Sequence, residues 1–269
     1  EERELFEFTY PNAKVTPNYT NESEAINLLL KGKVFMAITS RDFTKEEREY
    51  LKERKQFPQS IKIAYDGLAL VQNSSNTDSC ISVDNIKKIF SGKITKWNEI
   101  YPHSKLGEIT VVFDNPNSSA VHYVEDSILG GHAIQNKNVA AVNKTADVIK
   151  YVEKNKGAIG IIGSNWLNDK RDSTNLTFKK GIRPMAVSSL PIANVANSWK
   201  PFQYYFYNAS YPLVRTLYIL LNDAHIGLPT GFSNFIISQD KGQKIMLKAG
   251  LLPAYGNLTV RQVQVSNEK

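Results

Sequence analysis

The polar and apolar positions of this chain follow helix-like and strand-like spacings in turn. Asn21 precedes acidic residues and an apolar face with helical spacing, and Gly32 follows that face, so the pattern predicts a capped helix. The apolar run at residues 34–39 comes next and is typical of a buried strand. Thr44 and Glu47 match the Thr-x-x-Glu pattern of a capping box, which predicts the start of a charged helix.

The rest of the chain repeats this alternation. Apolar runs predict strands at residues 61–72 (broken at 65–67), 109–113, 158–162, 183–190 and 213–221. Helices are predicted after Ser82, after Ser118 or Ser119, after Thr145 and over residues 232–246. Residues 169–180 are polar and turn-rich, and the tail from Leu258 is short and polar. The alternation predicts an α/β fold whose sheets are mostly parallel and flanked by helices.

Three turns of this predicted fold are candidates for binding a ligand. Ligands of α/β sheets bind at the carboxyl ends of strands, near helix starts. This rule directs attention to Asn21, to the turn at residues 39–42 and to the turn at residues 114–119. A helix start offers free backbone N–H groups to an anion, and serine hydroxyls add donors. Simple capping by Ser118 or Ser119 is the alternative interpretation.

Two charged or titratable residues lie beside these turns. Arg41 has the chemistry to clamp an oxyanion with two hydrogen bonds, or it is an exposed arginine paired with Asp42 or a nearby glutamate. His122 lies one helical turn beyond Ser118, so it either points toward a bound anion or is a half-buried surface residue. The candidate ligand-binding residues are Asn21, Ser40, Arg41, Asp66, Asn117, Ser118, Ser119 and His122.

The composition and motifs exclude several classes of function but do not indicate a particular one. The chain has 269 residues, 42% of them apolar, which suffices for a large core in one or two domains. Its net charge of +7 is scattered among acidic residues, which favours a solvated basic surface over nucleic-acid binding. The motifs of serine hydrolases, P-loop proteins, zinc proteases and dinucleotide-binding enzymes do not occur in the sequence, so no catalytic residue and no cofactor is predicted.

Metal binding, disulfides and membrane spans are not predicted either. His103, His132 and His225 do not have metal-ligand spacing with one another or with Cys80, the single cysteine. One cysteine cannot build a disulfide framework. No apolar run reaches the roughly 20 residues of a membrane span. We expect a monomer, and if the protein is exported we expect its signal segment to precede this numbering.

Five stretches, in order along nearly the whole chain, resemble the phosphate-binding proteins of bacterial ABC importers, in the type II periplasmic-binding-protein superfamily. The most specific is the Ile-Phe-Ser-Gly-Lys-Ile-Thr-x-Trp core at residues 89–97. The others are the Asp-Gly strand at 63–73, Gly-Ala-Ile-Gly at 157–160, Tyr-Pro-Leu-x-Arg-x-Leu-Tyr at 211–218, and the Gly-Gln-Lys helix with its Gly-x-x-Pro stop at 238–253.

The binding turns depart from the pattern of this family. The Arg-x-x-Gly-Ser-Gly-Thr anion turn falls on residues 114–120, where only Ser118 matches and Asp114 replaces the arginine. The position of an acidic ligand residue falls on Arg41, which looks similar to a divergent subgroup in Bacteroidetes. The sequence resembles the family from within its first helix onward, so the first ligand loop of the family is missing or lies outside this sequence.

The resemblance implies a two-lobed receptor with lobe I at residues 1–68 and 210–269 and lobe II at 69–209. Such a protein captures phosphate or a related oxyanion between its lobes, closes by hinge motion near Asp66 and Ser210, and delivers the anion to a membrane permease. The expected location is the periplasm or the outer face of the cell envelope, with a lipid anchor on a segment outside this sequence as one option. The alternative is a ligand-free or sensor-type module of the same fold that does not serve transport.

Overall fold

The computed structural model of the protein describes residues 1–168 and 179–256. Within these residues the strands are β1 (Met36–Thr39), β2 (Gln59–Asn73), β3 (Cys80–Ser82), β4 (Thr110–Phe113), β5 (Val139–Ala141), β6 (Ala158–Gly163), β7 (Ile182–Pro184), β8 (Ala186–Ser188), β9 (Val214–Leu221) and β10 (Leu252–Pro253). The helices are α1 (Glu2–Thr9), α2 (Glu22–Leu30), α3 (Lys45–Glu53), α4 (Val83–Phe90), α5 (Ser119–Tyr123), α6 (Thr145–Lys154), α7 (Gln203–Tyr207), α8 (Leu228–Ile237) and α9 (Gly242–Lys248). The predictions for residues 169–178 and for the tail from Leu258 lie outside the described residues.

Local capping signals set several helix starts, as the sequence predicts. Asn21 caps α2, and Thr44 caps α3 in a reciprocal capping box with Glu47. Ser118, rather than Ser119, caps α5, which continues as a π-helical turn over Val124–Ile128. These caps satisfy backbone N–H groups that have no partner inside the helix.

One long strand, β2, runs through the whole molecule. The sheet order is β1-β9-β2-β6-β4-β5, and β7 and β10 also pair with β2. The predicted break at residues 65–67 is wrong, because β2 is continuous there. The turn-like residues instead mark a change of partner: Gly67 pairs with Val214 of β9, and Leu68 pairs with Gly163 of β6.

The change of partner divides the sheet into two lobes. The first lobe holds β1, β9, β10 and the beginning of β2, and the second holds β4 to β7 and the end of β2. In the second lobe, β3 and β8 form a separate two-stranded sheet. The α/β class is confirmed, and the parallel pairs among the described strands are β4 with β5 and β6, and β3 with β8. The first-lobe pairs are all antiparallel. In the pair of β2 with β9, this is because the chain leaves the lobe on β2 and returns beside it on β9.

Each lobe has its own apolar core. Phe6, Ile63 and Phe235 pack together in the first lobe, and Trp97 and Phe113 are fully buried in the second. The lobe limits after residues 68 and 209 stay a prediction. At the crossing between the lobes, a Cβ added to Gly67 would lie 2.3 Å from Cζ of Phe206, so the aromatic ring packs directly on this glycine.

Candidate functional site

The starts of α2 and α5 face each other where the two lobes meet, and this meeting place is called the gap below. Oε2 of Glu22, the first residue of α2, lies 3.5 Å from Nδ1 of His122 on α5. A second contact joins Arg215 of β9 to Ser119 of α5, with 2.8 Å between Nη1 and Oγ. The two turns that the sequence singles out are therefore neighbours in space.

Both helix starts offer backbone donors. The first four N–H groups of a helix have no acceptor within that helix. Asn21 Oδ1 accepts from the third residue of α2 at 2.9 Å, and Ser118 Oγ accepts from Val121 at 3.4 Å. The N–H groups of the first two residues of each helix have no intrahelical acceptor, which is the arrangement that favours an anion.

Ser40 and Glu22 form a partly buried polar contact on the first-lobe side of the gap. The backbone N–H of Ser40 donates to Glu22 Oε1 at 2.5 Å, and its hydroxyl donates to the same oxygen at 2.9 Å. The Glu22 side chain is 6% exposed. Ser40 therefore has the two donors that an anion could use, and both donate to the Glu22 carboxylate.

Arg41 is held in a two-pronged ion pair. Its guanidinium donates to both carboxylate oxygens of Glu47, at 2.8 and 2.7 Å, and to the carbonyl of Asp42 at 2.9 Å. Hydrogen bonding to Glu47 is the largest cause of a raised pKa for Arg41, and the charges of Glu22 and Asp126 add to it. Of the two interpretations of Arg41, the structure shows the pairing with a nearby glutamate.

Asp66, Arg215 and Ser119 form a chain of hydrogen bonds between the lobes. Arg215 donates from Nε and Nη2 to Asp66 Oδ2 at 3.0 and 2.8 Å, and from Nη1 to Ser119. Asp66 is 2% exposed, and its other oxygen accepts from the backbone and hydroxyl of Ser164 at 3.1 and 2.9 Å. Asp66 therefore lies at the lobe crossing as a buried, fully bonded carboxylate.

The remaining predicted residues lie around the second-lobe turn. Ser118 is 9% exposed and caps α5, whereas Asn117 is exposed and its N–H donates to Asn115 at 2.8 Å. Asp114 accepts from the Thr145 hydroxyl at 2.9 Å, and its second oxygen is inaccessible and has no hydrogen-bond partner. The roles of all eight predicted residues as ligands stay a prediction.

Sequence reasoning missed three residues that organise this gap. Glu22 matches the pattern of an acidic residue in a first helical turn, and Glu47 matches that of a capping box, so neither pointed to the gap. Arg215 lies within the Tyr-Pro-Leu-x-Arg stretch at residues 211–215, which resembles the family but indicates no role for the arginine. Only that stretch carried a usable signal.

A large cavity lies away from these residues. It has a volume of about 1170 Å³ and is lined mostly by first-lobe residues of α1, α2, β1, α8, α9 and 14–20, together with Asn165 and Asn168, which follow β6. None of the eight predicted residues lines it. Because it contains none of the paired serines and arginines, the gap between the lobes is the better candidate site. Within residues 1–168 and 179–256, no His, Cys, Asp or Glu side chains are grouped to hold a metal ion. No helix in the described part of the chain has the length and apolar character of a membrane span.

Known proteins share both sequence and fold with this chain. The phosphate-binding protein PstS of Staphylococcus aureus (strain USA300) is 24% identical over 249 residues, which cover 91% of this chain and 71% of that protein. A putative phosphate ABC transporter substrate-binding protein with bound phosphate, from Clostridium perfringens, superimposes with a TM-score of 0.75 at 21% identity and covers 94% of this chain and 93% of its own. An ABC-type phosphate transport receptor from Vibrio cholerae gives a TM-score of 0.71 at 20% identity, covering 93% of each chain.

The family assignment comes from a match along most of the chain. The family model described as a PBP superfamily domain matches residues 2–240. The match includes both lobes, the crossing at Gly67 and the facing starts of α2 and α5. The chain therefore belongs to the PBP superfamily.

Proposed function

We propose that this protein is an extracytoplasmic substrate-binding protein that captures phosphate, or a related oxyanion, between its lobes and delivers it to an ABC importer. The observation that carries the proposal is the convergence of two helix starts from opposite lobes, joined by the contacts of Glu22 with His122 and of Arg215 with Ser119. The phosphate-binding relatives in the same superfamily support phosphate as the anion.

The candidate donors to an anion come from both lobes. They are Ser40, Arg41, Ser118, Ser119 and the N–H groups at the starts of α2 and α5 that have no intrahelical acceptor. An anion must exchange with Glu22 at Ser40 and with Glu47 at Arg41 to reach these two residues. A hydrogen bond to a charged group contributes about 1.5–3 kcal/mol, so four or five of them give roughly 6–15 kcal/mol before closure and desolvation are subtracted. A micromolar dissociation constant requires about 8 kcal/mol, which this set can supply.

The proposed role requires no chemical step. The gap holds carboxylates paired with arginines and serines bonded to carboxylates, and we assign none of them as a nucleophile or a general base. The protein acts as a monomer that binds, closes and is recognised by a membrane permease, without nucleic acid, metal or cofactor. Its place is the periplasm or the outer face of the cell envelope, where a lipid anchor outside this sequence is compatible with the function.

Calorimetric titration of the chain with phosphate, sulfate and an organic phosphate tests the proposal. We expect phosphate to bind, and at 100 times the dissociation constant to stabilise the fold by about 2.7 kcal/mol. Ser119→Ala should weaken phosphate binding by roughly 10-fold or more, because a hydrogen bond to a charged group is lost. Ser127→Ala, an exposed serine a short way along the same segment, is the matched control and should bind like the wild type.

Three results would count against this assignment. Failure of the wild type to bind any of the three anions would favour the ligand-free module. Equal affinities of Ser119→Ala and Ser127→Ala would remove Ser119 from the site. Turnover of the organic phosphate would point to an enzyme.

A further inference from the structure

We propose that Glu22 sets the anion affinity of this cleft, because its carboxylate occupies the donors of Ser40 and an incoming oxyanion must displace it. The inference rests on the proposed function and adds a specific residue to it. A carboxylate and a phosphate are both oxyanions, and they compete for the same N–H and O–H groups.

The position of Glu22 is not explained by helix stabilisation alone. Acidic side chains in a first turn interact favourably with the helix dipole, and Glu24 on the same helix does so from an exposed position. Glu22 instead is 6% exposed and reaches Ser40, 18 residues away along the chain. Burial of a carboxylate is unfavourable unless donors satisfy it, so the two donors of Ser40 are what hold Glu22 in the gap.

The second oxygen of Glu22 faces the other lobe. This oxygen lies 3.5 Å from Nδ1 of His122, so Glu22 contacts polar groups of both lobes. The carboxylate thus bridges the lobes. An anion that enters must exchange with it at Ser40 and separate it from His122.

The charges around Glu22 do not offset its effect on an anion. Among the described residues, His122 contacts Glu22 at 3.5 Å, and Arg41 interacts with it through charge without a hydrogen bond. Arg41 is already paired with Glu47, and Asp126 also acts on it from the second lobe. The negative charge of Glu22 is therefore not neutralised by these basic groups, and it repels any oxyanion that enters.

Replacement of Glu22 by glutamine tests this inference in the full chain. Glu22→Gln keeps the side-chain shape and an oxygen acceptor for Ser40 but removes the charge. We expect it to bind phosphate at least 10-fold more tightly than the wild type in calorimetric titration, a difference of about 1.4 kcal/mol. Glu24→Gln removes an equal charge from an exposed site on α2 and should change the affinity less than twofold.

The outcomes separate this inference from the proposed function. If the wild type binds phosphate and Glu22→Gln binds equally or more weakly, the function stands and the role of Glu22 is overturned. If only Glu22→Gln binds, the role of Glu22 stands and the function of the native chain falls. If neither binds, both fall.

A measurement on the wild type covers the case in which the variant does not fold. Phosphate titration followed by carbon-13 NMR should move the side-chain carboxyl signal of Glu22 and leave that of Glu24 in place. A Glu22 signal that stays unmoved at saturating phosphate overturns the inference.

Discussion

Arg215 of β9 donates to Ser119 of α5 at 2.8 Å while the same guanidinium holds the buried carboxylate of Asp66 at 2.8 and 3.0 Å. Asp66 lies on β2 at the lobe crossing, and Ser119 opens the helix on the far side of the gap. The guanidinium of Arg215 thus connects the lobe crossing to the second-lobe turn. A change in the conformation of the crossing should therefore move that turn.

Removal of this cation should destabilise the fold. Arg215→Met leaves Asp66, which is 2% exposed, with only Ser164 as a partner. Breaking a buried pair by removing one partner costs about 3–5 kcal/mol, and we expect a loss of this size in urea unfolding. The double variant Arg215→Met with Asp66→Asn should recover part of the loss, because no charge is then left buried. A loss below about 1 kcal/mol for Arg215→Met would contradict the prediction.

A double-mutant cycle should distinguish binding of the anion by Arg41 from neutralisation of Glu47 by Arg41. We expect the guanidinium to bind the anion in addition to its ion pair with Glu47. Arg41→Met should then weaken phosphate binding at least 10-fold, and the addition of Glu47→Gln should not restore it. Gln at position 47 retains the capping geometry of α3, so the helix start is preserved. Wild-type affinity in the double variant would mean that Arg41 only neutralises Glu47.

The ion pair of Glu47 should make stability fall in acid. Burial raises the pKa of Glu47, but hydrogen bonds from Arg41 and from the backbone of Thr44 outweigh burial, so the pKa lies below its ordinary value of 4.5. A carboxyl with a lowered pKa binds fewer protons in the folded than in the unfolded chain, and its stabilising effect is lost as the pH falls from 4.5 toward the folded pKa.

Urea unfolding at a series of acidic pH values measures this effect as a difference between variants. Glu47→Gln removes the titrating group and Arg41→Met removes its main hydrogen-bond donor, so both should lose less stability with acidification than the wild type. Parallel curves for the wild type and Glu47→Gln would refute the assignment.

The close packing of Phe206 on Gly67 should make this glycine irreplaceable. In Gly67→Ala the new Cβ would lie 2.3 Å from Cζ and 2.6 Å from Cε1 of Phe206, so the ring or the strand must move. Overpacking of this kind costs about 1–3 kcal/mol. Gly231 in α8 has no atom within 4 Å of an added Cβ, so Gly231→Ala should stabilise the chain by about 0.5–1 kcal/mol. Equal effects of the two variants on unfolding would contradict this account of the crossing.

Local signals in the sequence predict much of this fold. Asn21, Thr44 and Ser118 each cap a helix, because a cap depends on residues within one turn of it. The predicted break in β2 is wrong because this strand depends on partners that are distant in the sequence. Tyr65-Asp66-Gly67 has turn-like composition, but pairing with β9 and β6 keeps the backbone extended, and local composition does not report that pairing.

The arrangement of the site was less predictable. The sequence predicts Ser40 and Arg41 as ligand-binding residues, which stays a prediction, and it does not indicate that Glu22 and Glu47 are their partners. Glu22 approaches Ser40 across 18 residues, and Arg215 approaches Ser119 across 96. The first contact depends on how α2 packs against β1, and the second depends on how the two lobes are placed. The sequence pattern around a single glutamate or arginine carries little information about either.

The continuity of β2 has a mechanical consequence. β2 pairs with β9 in the first lobe and with β6 in the second, so it cannot act as a flexible linker. Opening of the gap must therefore bend and twist the extended backbone near Gly67. If either lobe unfolded, one end of β2 would lose the strands with which it pairs. The protein should therefore melt as one cooperative unit, even though each lobe has its own apolar core.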